Sequence, residues 1–166
     1  TRLPLLGQRT IKEQVWFHVR VSGRPNGSHG WILATNAKLI EARYRISVDL
    51  SQRFLRVFLD GKKIHATRVV IGAPRTPTPT GQFFAVDSMR MDVPWAVHGW
   101  ALATSAFSDV LRHFDGGEGQ VAIHTTGRLS GALGSASSHG CVRVPPRFAK
   151  WLALHIPVGT PILIKH

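Results

Sequence analysis

The chain of 166 residues has one cysteine, one tyrosine and only nine acidic residues. A single cysteine excludes an internal disulfide and a zinc site built from several cysteines. The thiol is therefore either a packing group or a reactive one. The sequence also lacks any run of about 18 apolar residues, so it predicts no membrane-spanning helix.

The beginning of the chain shows no targeting segment. It starts at Thr1 instead of Met, and the charged and apolar regions of a secretory signal peptide are not visible. We expect a processed or trimmed chain, for which a missing export signal is uninformative.

The shortage of acidic residues leaves a strong positive charge. Lys and Arg total 21 against 9 Asp and Glu, a formal net charge of +12. Such a surplus attracts polyanions, among which nucleic acid, anionic cell-wall polymers and lipid head groups are candidates. No basic helix and no aromatic-basic motif typical of nucleic-acid binders stands out. Charge alone therefore leaves the partner open, and a solvated basic surface without a partner explains it equally well.

Composition favours a mainly β fold. Hydrophobic residues make up 43% of the chain and charged ones 18%, as in a globular domain with or without a small appendage. The 16 Gly and 10 Pro separate short apolar runs, which is typical of strands joined by turns. Residues 1–14 are expected to be irregular, and Asp60-Gly61 predicts a two-residue hairpin turn. The predicted strands cover 15–21, 31–33, 45–50, 54–59, 63–71, 82–86, 120–124 and 161–165.

Two helices are also expected. The first has Thr104 or Ser105 as its N-cap and ends at 116–117. The second begins near residues 145–146 and reaches Leu154. The first helix is predicted from apolar residues at i, i+3, i+4 and i+7, namely Phe107, Val110, Leu111 and Phe114.

The segment 137–143, Ser-Ser-His-Gly-Cys-Val-Arg, carries the most informative chemistry. The thiol of Cys141 follows Gly140 directly and His139 by two positions. A thiolate is the attacking form of cysteine, and a neighbouring imidazole can take the thiol proton and lower its pKa from about 8.5. Glycine allows the sharp turn that brings a substrate carbonyl close, and backbone N–H groups there can stabilise an oxyanion.

A second histidine strengthens the case for a reactive thiol. His124 ends the apolar strand 121–123, and a loop rich in Gly and Ser separates it from Cys141. Such a loop can fold back and bring the strand end beside the thiol. The other histidines are expected to be packed or solvated: His18, His29, His65, His98, His113, His155 and His166.

These residues resemble the L,D-transpeptidase family, also called the YkuD-type catalytic domain. Its motif is a histidine, a spacer, Ser or Thr followed by His-Gly-Cys, then a hydrophobic residue and Asn or Arg. Here the motif is His124, a spacer at the short end of the family range (125–137) and Ser138 to Arg143, with Arg143 where many members carry Asn. The resemblance extends over residues 44–165. It includes an opening hairpin at 48–58, a Thr-Pro-Thr-Gly-Gln-Phe stretch at 78–83 and the segment 105–117.

The resemblance implies an L,D-transpeptidase-type β-sandwich with one or two short helices. Residues 44–166 would be the catalytic domain, and residues 1–43 an N-terminal extension with a small β-hairpin. The hairpin turn Gly-Arg-Pro-Asn-Gly at 23–27 resembles that of a bacterial SH3-like module.

The resemblance also implies an activity. Cys141 would attack the tetrapeptide stem of peptidoglycan before the terminal D-Ala and form a thioester. An amine acceptor would then resolve it, giving a cross-link or attaching an envelope protein, with no metal or cofactor. Cys141 would be the nucleophile and His124 the general base. In supporting roles, the Thr125 carbonyl would orient the imidazole, His139 would support the cysteine loop, Gly140 and Cys141 would supply oxyanion donors, and Ser138 and Arg143 would shape the substrate cleft.

Several points stay open at this level. Arg143 could pair with a substrate carboxylate or form a structural salt bridge. With water as acceptor, the same residues would make an L,D-carboxypeptidase or another peptidoglycan hydrolase. A non-catalytic module that binds the cell wall is the third alternative. The resemblance implies an exported enzyme of the cell envelope, inhibited covalently by carbapenems, and nucleic-acid binding is not expected.

Overall fold

The computed structural model describes residues 1–94, 96–114, 116–129 and 131–166. The first 43 residues contain a small antiparallel sheet in the order β1-β2-β3, followed by a short 3₁₀ helix (Ala34–Asn36). Phe17 and Val19, both in the central strand, are buried. The strands are β1 (Leu5–Ile11), β2 (Gln14–Arg20) and β3 (His29–Leu33).

The predicted N-terminal hairpin is confirmed, but the expectation that residues 1–14 are irregular is wrong, because β1 pairs along β2. Two features explain why this strand was not predicted from the sequence. Its side chains are mostly exposed, so it has no alternating apolar pattern. Its turn is formed by Lys12 and Glu13, with φ of 48° and 63°, where a glycine or asparagine would have been the usual signal.

The remaining chain is built mainly on one mixed sheet of eight strands in the order β12-β10-β9-β8-β13-β4-β5-β6. Most neighbours are antiparallel, whereas β13 runs parallel to β4, and β10 runs parallel to β12. Two further strands, β7 and β11, form a separate parallel pair. The strands are β4 (Tyr44–Asp49), β5 (Phe54–Leu59), β6 (Lys62–Arg68), β7 (Ile71–Gly72), β8 (Gly81–Val93), β9 (Ala96–Phe107), β10 (Gln120–Thr125), β11 (Ala136–Ser138), β12 (Val142–Val144) and β13 (Pro161–Lys165).

The two edges of this sheet approach each other. Val70, just past the edge strand β6, exchanges both backbone hydrogen bonds with Arg143 of the opposite edge strand β12, at 3.0 and 2.9 Å. The sheet must therefore bend back on itself. Buried side chains from both halves, such as Leu55 and Ile123, belong to one hydrophobic core. This is the mainly β, two-layered architecture predicted from the sequence.

One α-helix, α1 (Pro146–His155), follows β12 and contacts β9 and β10. Proline is well suited to its first turn, because the missing N–H would have no partner within the helix. Ala149, Leu152 and Ala153 face the core. The prediction of this helix is confirmed. Within the described residues, no helix is both long enough and apolar enough to cross a membrane.

The strand predictions are largely confirmed. Strands β5 and β13 begin and end at the predicted residues, and Asp60 and Gly61 form the predicted turn, with φ of 49° and 78°. The strand predicted at 82–86 is longer, because β8 continues to Val93 and pairs with the equally long β9.

The helix predicted from Phe107 to Phe114 is wrong. Phe107 is the buried last residue of β9, whereas Val110 and Phe114 are 52% and 46% exposed. The proposed caps, Thr104 and Ser105, also lie in β9. The apolar spacing therefore reflects one buried strand end followed by an exposed irregular segment, and not one helical face.

Candidate active site

The parallel pairing of β10 with β12 brings the predicted nucleophile and base together. In this register Ile123 lies opposite Val142, and His124 lies opposite Arg143. Cys141 immediately precedes β12, and its Sγ accepts a hydrogen bond from the backbone N–H of Ala122 at 3.4 Å. Alternate residues of a strand share a face. Continued by one residue, the register places Cys141 beside Ala122, which shares a face of β10 with His124.

His124 is buried, and its ring orientation is fixed by the main chain. Its Nδ1 lies 2.8 Å from the carbonyl oxygen of Thr125. A carbonyl only accepts, so Nδ1 carries the proton and Nε2 keeps its lone pair. Burial lowers the pKa of His124 to about 4, the Thr125 carbonyl opposes this, and the charge of Arg143 lowers the pKa further. The imidazole is therefore neutral at pH 7.

The Cys141 side chain is half-buried and stays protonated in the absence of substrate. Burial raises the pKa of the thiol, while the Ala122 N–H and the charge of Arg143 act in the opposite direction. Burial also lowers the pKa of Arg143, whose side chain is 6% exposed. The sequence suggested a histidine that lowers the thiol pKa and holds an ion pair. The structure instead favours a neutral thiol beside a neutral imidazole.

The backbone before the thiol is held in a tight loop by Ser138. The Ser138 hydroxyl donates to the carbonyl oxygen of Cys141 at 2.6 Å and accepts from the N–H of Gly140 at 3.1 Å. Gly140 has a φ of +117°, which side-chain-bearing residues rarely adopt. Ser138 is only 1% exposed, and both of these hydrogen bonds of its hydroxyl lie within the loop.

Two threonines from the segment 76–78 also hold this loop, and no role was predicted for either of them. The buried Thr78 hydroxyl accepts from the Gly72 N–H at 2.9 Å and donates to the Gly140 carbonyl at 2.8 Å. The Thr76 hydroxyl donates to the Ser138 carbonyl at 3.0 Å. A Cβ at Gly72 would lie 2.3 Å from the Thr76 carbonyl oxygen, so the close approach of β7 to the segment 76–78 requires glycine at this position. The available signals were the Thr- and Pro-rich composition of 76–80 and the resemblance of 78–83 to a stretch of the family.

A depression with about 250 Å³ of empty space opens beside the thiol. Much of its wall comes from residues 108–114 and 116–119, which we call the cleft loop. His139 is exposed on the other side, with its ring centroid 4.9 Å from that of Phe114. The lining residues are Ser108, Leu111, Phe114, Gly119, Gln120, Val121, His139 and Cys141.

The remaining predicted site residues lie deeper. Thr125 is 2% exposed and reaches the site through its carbonyl, and Arg143 lies beside His124 on the neighbouring strand. Among the described residues, no group of three or more His, Cys, Asp or Glu side chains could hold a metal ion.

Comparison with known proteins identifies the family. The family model for the YkuD L,D-transpeptidase catalytic domain matches residues 43–164. The chain belongs to this family. It is 31% identical over 121 residues to the curated YkuD protein of Bacillus licheniformis, covering 73% of this chain and 65% of that one. The chain thus spans about two thirds of that relative's length.

Solved L,D-transpeptidases have the same fold. The catalytic domain from Enterococcus faecium, determined by NMR, is 26% identical, with a TM-score of 0.53 over 75% of this chain and 98% of that one. An L,D-transpeptidase in complex with imipenem is 19% identical, with a TM-score of 0.57 over 92% of this chain and 68% of that one.

Proposed function

We propose that this member of the L,D-transpeptidase family is a peptidoglycan L,D-transpeptidase in which Cys141 is the nucleophile and His124 the general base. The observation that carries the proposal is the β10–β12 pairing. It sets a half-buried thiol beside a strand whose histidine is neutral and presents Nε2 as its only proton acceptor. Attack by a neutral pair requires such an acceptor.

The first half-reaction transfers the acyl group to the enzyme. As Cys141 Sγ attacks the stem-peptide carbonyl before the terminal D-Ala, the thiol proton moves to His124 Nε2. A C–S bond forms and the carbonyl becomes an oxyanion. Collapse of this intermediate breaks the C–N bond, and the imidazolium returns its proton to the departing D-Ala amine. The products are a thioester on Cys141, free D-Ala and a neutral imidazole.

The backbone around the thiol supplies the oxyanion donor. Among the described residues, none accepts a hydrogen bond from the Cys141 N–H, whereas the Gly140 N–H donates to Ser138. We therefore propose the Cys141 N–H as the first oxyanion donor. The Gly140 N–H can join only if it leaves the Ser138 hydroxyl when substrate binds. His139 borders the cleft and supports the loop.

The second half-reaction consumes the thioester. A neutral acceptor amine attacks the thioester carbonyl, and His124 Nε2 takes a proton from the amine nitrogen as the N–C bond forms. Collapse of the tetrahedral intermediate breaks the C–S bond, and the imidazolium returns the proton to Cys141 Sγ. The product is a cross-link between stems or an attached envelope protein. Water in the same position would make the enzyme an L,D-carboxypeptidase.

The proposal extends to domains, partners and location. Residues 44–166 would be the catalytic domain and residues 1–43 an appended module. The enzyme would act in the cell envelope, where a net charge of +12 suits anionic wall polymers. The solved relative with imipenem supports covalent inhibition by carbapenems. Arg143 would either meet a substrate carboxylate or hold the site through its charge.

The test is incubation with a defined tetrapeptide stem followed by mass analysis. Loss of D-Ala with formation of a linked dimer identifies a transpeptidase, and loss of D-Ala with addition of water identifies a carboxypeptidase. Cys141→Ala is the matched control and should give neither product. If the wild-type protein binds the stem without releasing D-Ala, the catalytic proposal is overturned in favour of a wall-binding module.

A further inference from the structure

One guanidinium of the N-terminal module is directed at the cleft loop. Arg24, in the turn between β2 and β3, donates from Nη1 to the carbonyl oxygen of Ser108 at 2.7 Å. Its Nη2 donates to the carbonyl oxygens of Leu111 and Glu118 at 3.0 and 2.9 Å. A single side chain therefore ties together the first and the last part of the cleft loop.

Asn26 holds the point where β9 passes into the cleft loop. Its side-chain amide pairs with the main chain of Phe107, donating from Nδ2 to the carbonyl at 2.7 Å and accepting at Oδ1 from the N–H at 2.9 Å. Nδ2 also donates to the Asp109 carboxylate at 3.1 Å. The amide thus acts like an added strand residue at the end of β9.

These contacts matter for the cleft loop because its described residues form no helix or strand. Val110 and Phe114 are also about half exposed. Among its described residues, internal bonds run from the Ser108 N–H to the Gly119 carbonyl at 2.8 Å, from the Leu111 N–H to the Ser108 hydroxyl at 3.0 Å, and between Phe114 and Gly117. The carbonyls of Ser108 and Leu111, which a helix would use internally, are occupied by Arg24.

We propose that Arg24 and Asn26 are positioning residues for the substrate cleft. The N-terminal module fixes the cleft loop in the shape that forms the wall beside Cys141, so the stem-binding site is completed by residues outside the family's catalytic domain. This inference rests on the proposed function and assigns to residues 1–43 a role in substrate binding. His124 stands on β10 and Cys141 immediately precedes β12, whereas the hydrogen bonds from Arg24 and Asn26 go to residues 107–118. We therefore expect the intrinsic reactivity of the thiol and the imidazole to be independent of the module.

The consequence for catalysis is a separation of effects. Loss of Arg24 frees the wall that carries Leu111 and Phe114, so stem peptide should bind less well. A misplacement of the order of 1 Å in a binding wall can lower kcat/KM by up to about 100-fold. Here we expect the loss to lie mainly in KM. A small neutral thiol reagent such as iodoacetamide needs no wall, so its reaction with Cys141 should be unchanged.

The experiment compares Arg24→Ala with Arg9→Ala in the full chain. Arg9 is an exposed arginine of the same sheet, stacked over Trp31 at 4.0 Å, so its loss removes the same charge without touching the cleft loop. Three quantities are measured: KM and kcat for the tetrapeptide stem, the alkylation rate of Cys141 by iodoacetamide, and amide hydrogen exchange of residues 108–119. For Arg24→Ala we expect a rise in KM of about tenfold, unchanged alkylation and faster exchange confined to the cleft loop. Arg9→Ala should match the wild type in all three.

Asn26 provides a second variant in case Arg24→Ala does not fold. Asn26→Asp keeps the side-chain shape but sets a carboxylate against that of Asp109, so it should loosen the same loop. Adding Asp109→Asn restores a donor to the pair and should recover part of the wild-type KM. Such reciprocal rescue is not expected if Asn26 only stabilises the fold as a whole.

The outcomes separate the two proposals. If Arg24→Ala and Asn26→Asp leave both cleft-loop exchange and KM at wild-type values, the positioning role is overturned. If both raise exchange over the whole chain and accelerate iodoacetamide alkylation, the contacts serve global stability and the inference is likewise overturned. If the wild-type protein does not turn over the stem, the proposed function fails, and cleft-loop exchange still decides whether the module holds the wall.

Discussion

The Nδ1 atom of His124 and the carbonyl oxygen of Thr125, the next residue, lie 2.8 Å apart. This contact fixes the neutral tautomer in which Nε2 is the proton acceptor. Because burial also lowers the pKa of His124 to about 4, the imidazole proposed as the general base is neutral throughout the physiological pH range. The remaining chemistry of the site follows from how the thiol meets this acceptor.

The first prediction concerns the nucleophile. Imipenem should acylate Cys141, the only thiol of the chain, and intact-protein mass spectrometry should show one added drug mass. Cys141→Ala should remain folded and show no adduct and no release of D-Ala. An adduct of equal yield on the alanine variant would mean that the thiol is not the reacting group.

The second prediction distinguishes the two histidines of the motif. His124→Ala should slow acylation by about 10²–10⁴-fold, as expected for a lost general base. The wild-type rate should fall with acid only as pH approaches about 4, since the imidazole is protonated below that pKa. His139→Ala should keep this pH dependence, because His139 contacts Phe114 at the cleft surface. The measurement is the acylation rate against pH for all three proteins. A lost acid limb in the His139 variant alone would reverse the assignment of the base.

The third prediction concerns stability against pH. The pKa of His124 falls from 6.5 to about 4 on folding, so between these values the unfolded chain binds more protons than the folded one. The stabilisation is fully present above pH 6.5 and is lost as pH falls towards 4, to a total of about 3 kcal/mol. Urea unfolding from pH 7 to pH 4 should show this loss. His124→Gln, which cannot titrate, should show a correspondingly shallower decline.

The fourth prediction concerns the threonine that anchors the cysteine loop. Thr78→Val removes the hydrogen bonds to Gly72 and Gly140 from a buried position, leaving a buried N–H and a carbonyl without their partner. The cost should be about 1–3 kcal/mol in the free energy of unfolding. Acylation should also slow, because the backbone of Gly140 loses its support. Thr78→Ser keeps the hydroxyl and serves as control. A valine variant with wild-type stability and rate would show that the loop is held by other contacts.

The sequence was most informative where local chemistry decides structure. The Asp60-Gly61 turn needs positive φ at both residues, and the His-Gly-Cys segment carries its chemistry in its residue types. By contrast, the failed helix at 107–114 shows a long-range effect. Its apolar spacing is helical. The carbonyls of Ser108 and Leu111, which a helix would use internally, instead accept hydrogen bonds from Arg24. The sequence of the segment itself could not predict this contact, because Arg24 lies more than eighty residues earlier in the chain.

The residues that support the cysteine loop could not be predicted for the same reason. Thr78 and Gly72 act on Gly140 across a gap of more than sixty residues, and only the folded sheet brings them together. The loss of solvent at His124 and Cys141, which sets the charge state of both, also depends on how the whole core packs. Motif spacing indicates which groups are candidates to react, but it does not predict their protonation states before substrate binds.

The bridge between Val70 and Arg143 links the reactive centre to the folding of the chain. Pairing between segments distant in sequence is slow, because the entropy of the intervening loop must be lost first. Before this closure forms, we expect Cys141 to be more exposed than the half-buried side chain of the folded protein. Alkylation of Cys141 during refolding should therefore slow as the two sheet edges join, so the proposed nucleophile would also serve as a probe of when the fold is completed.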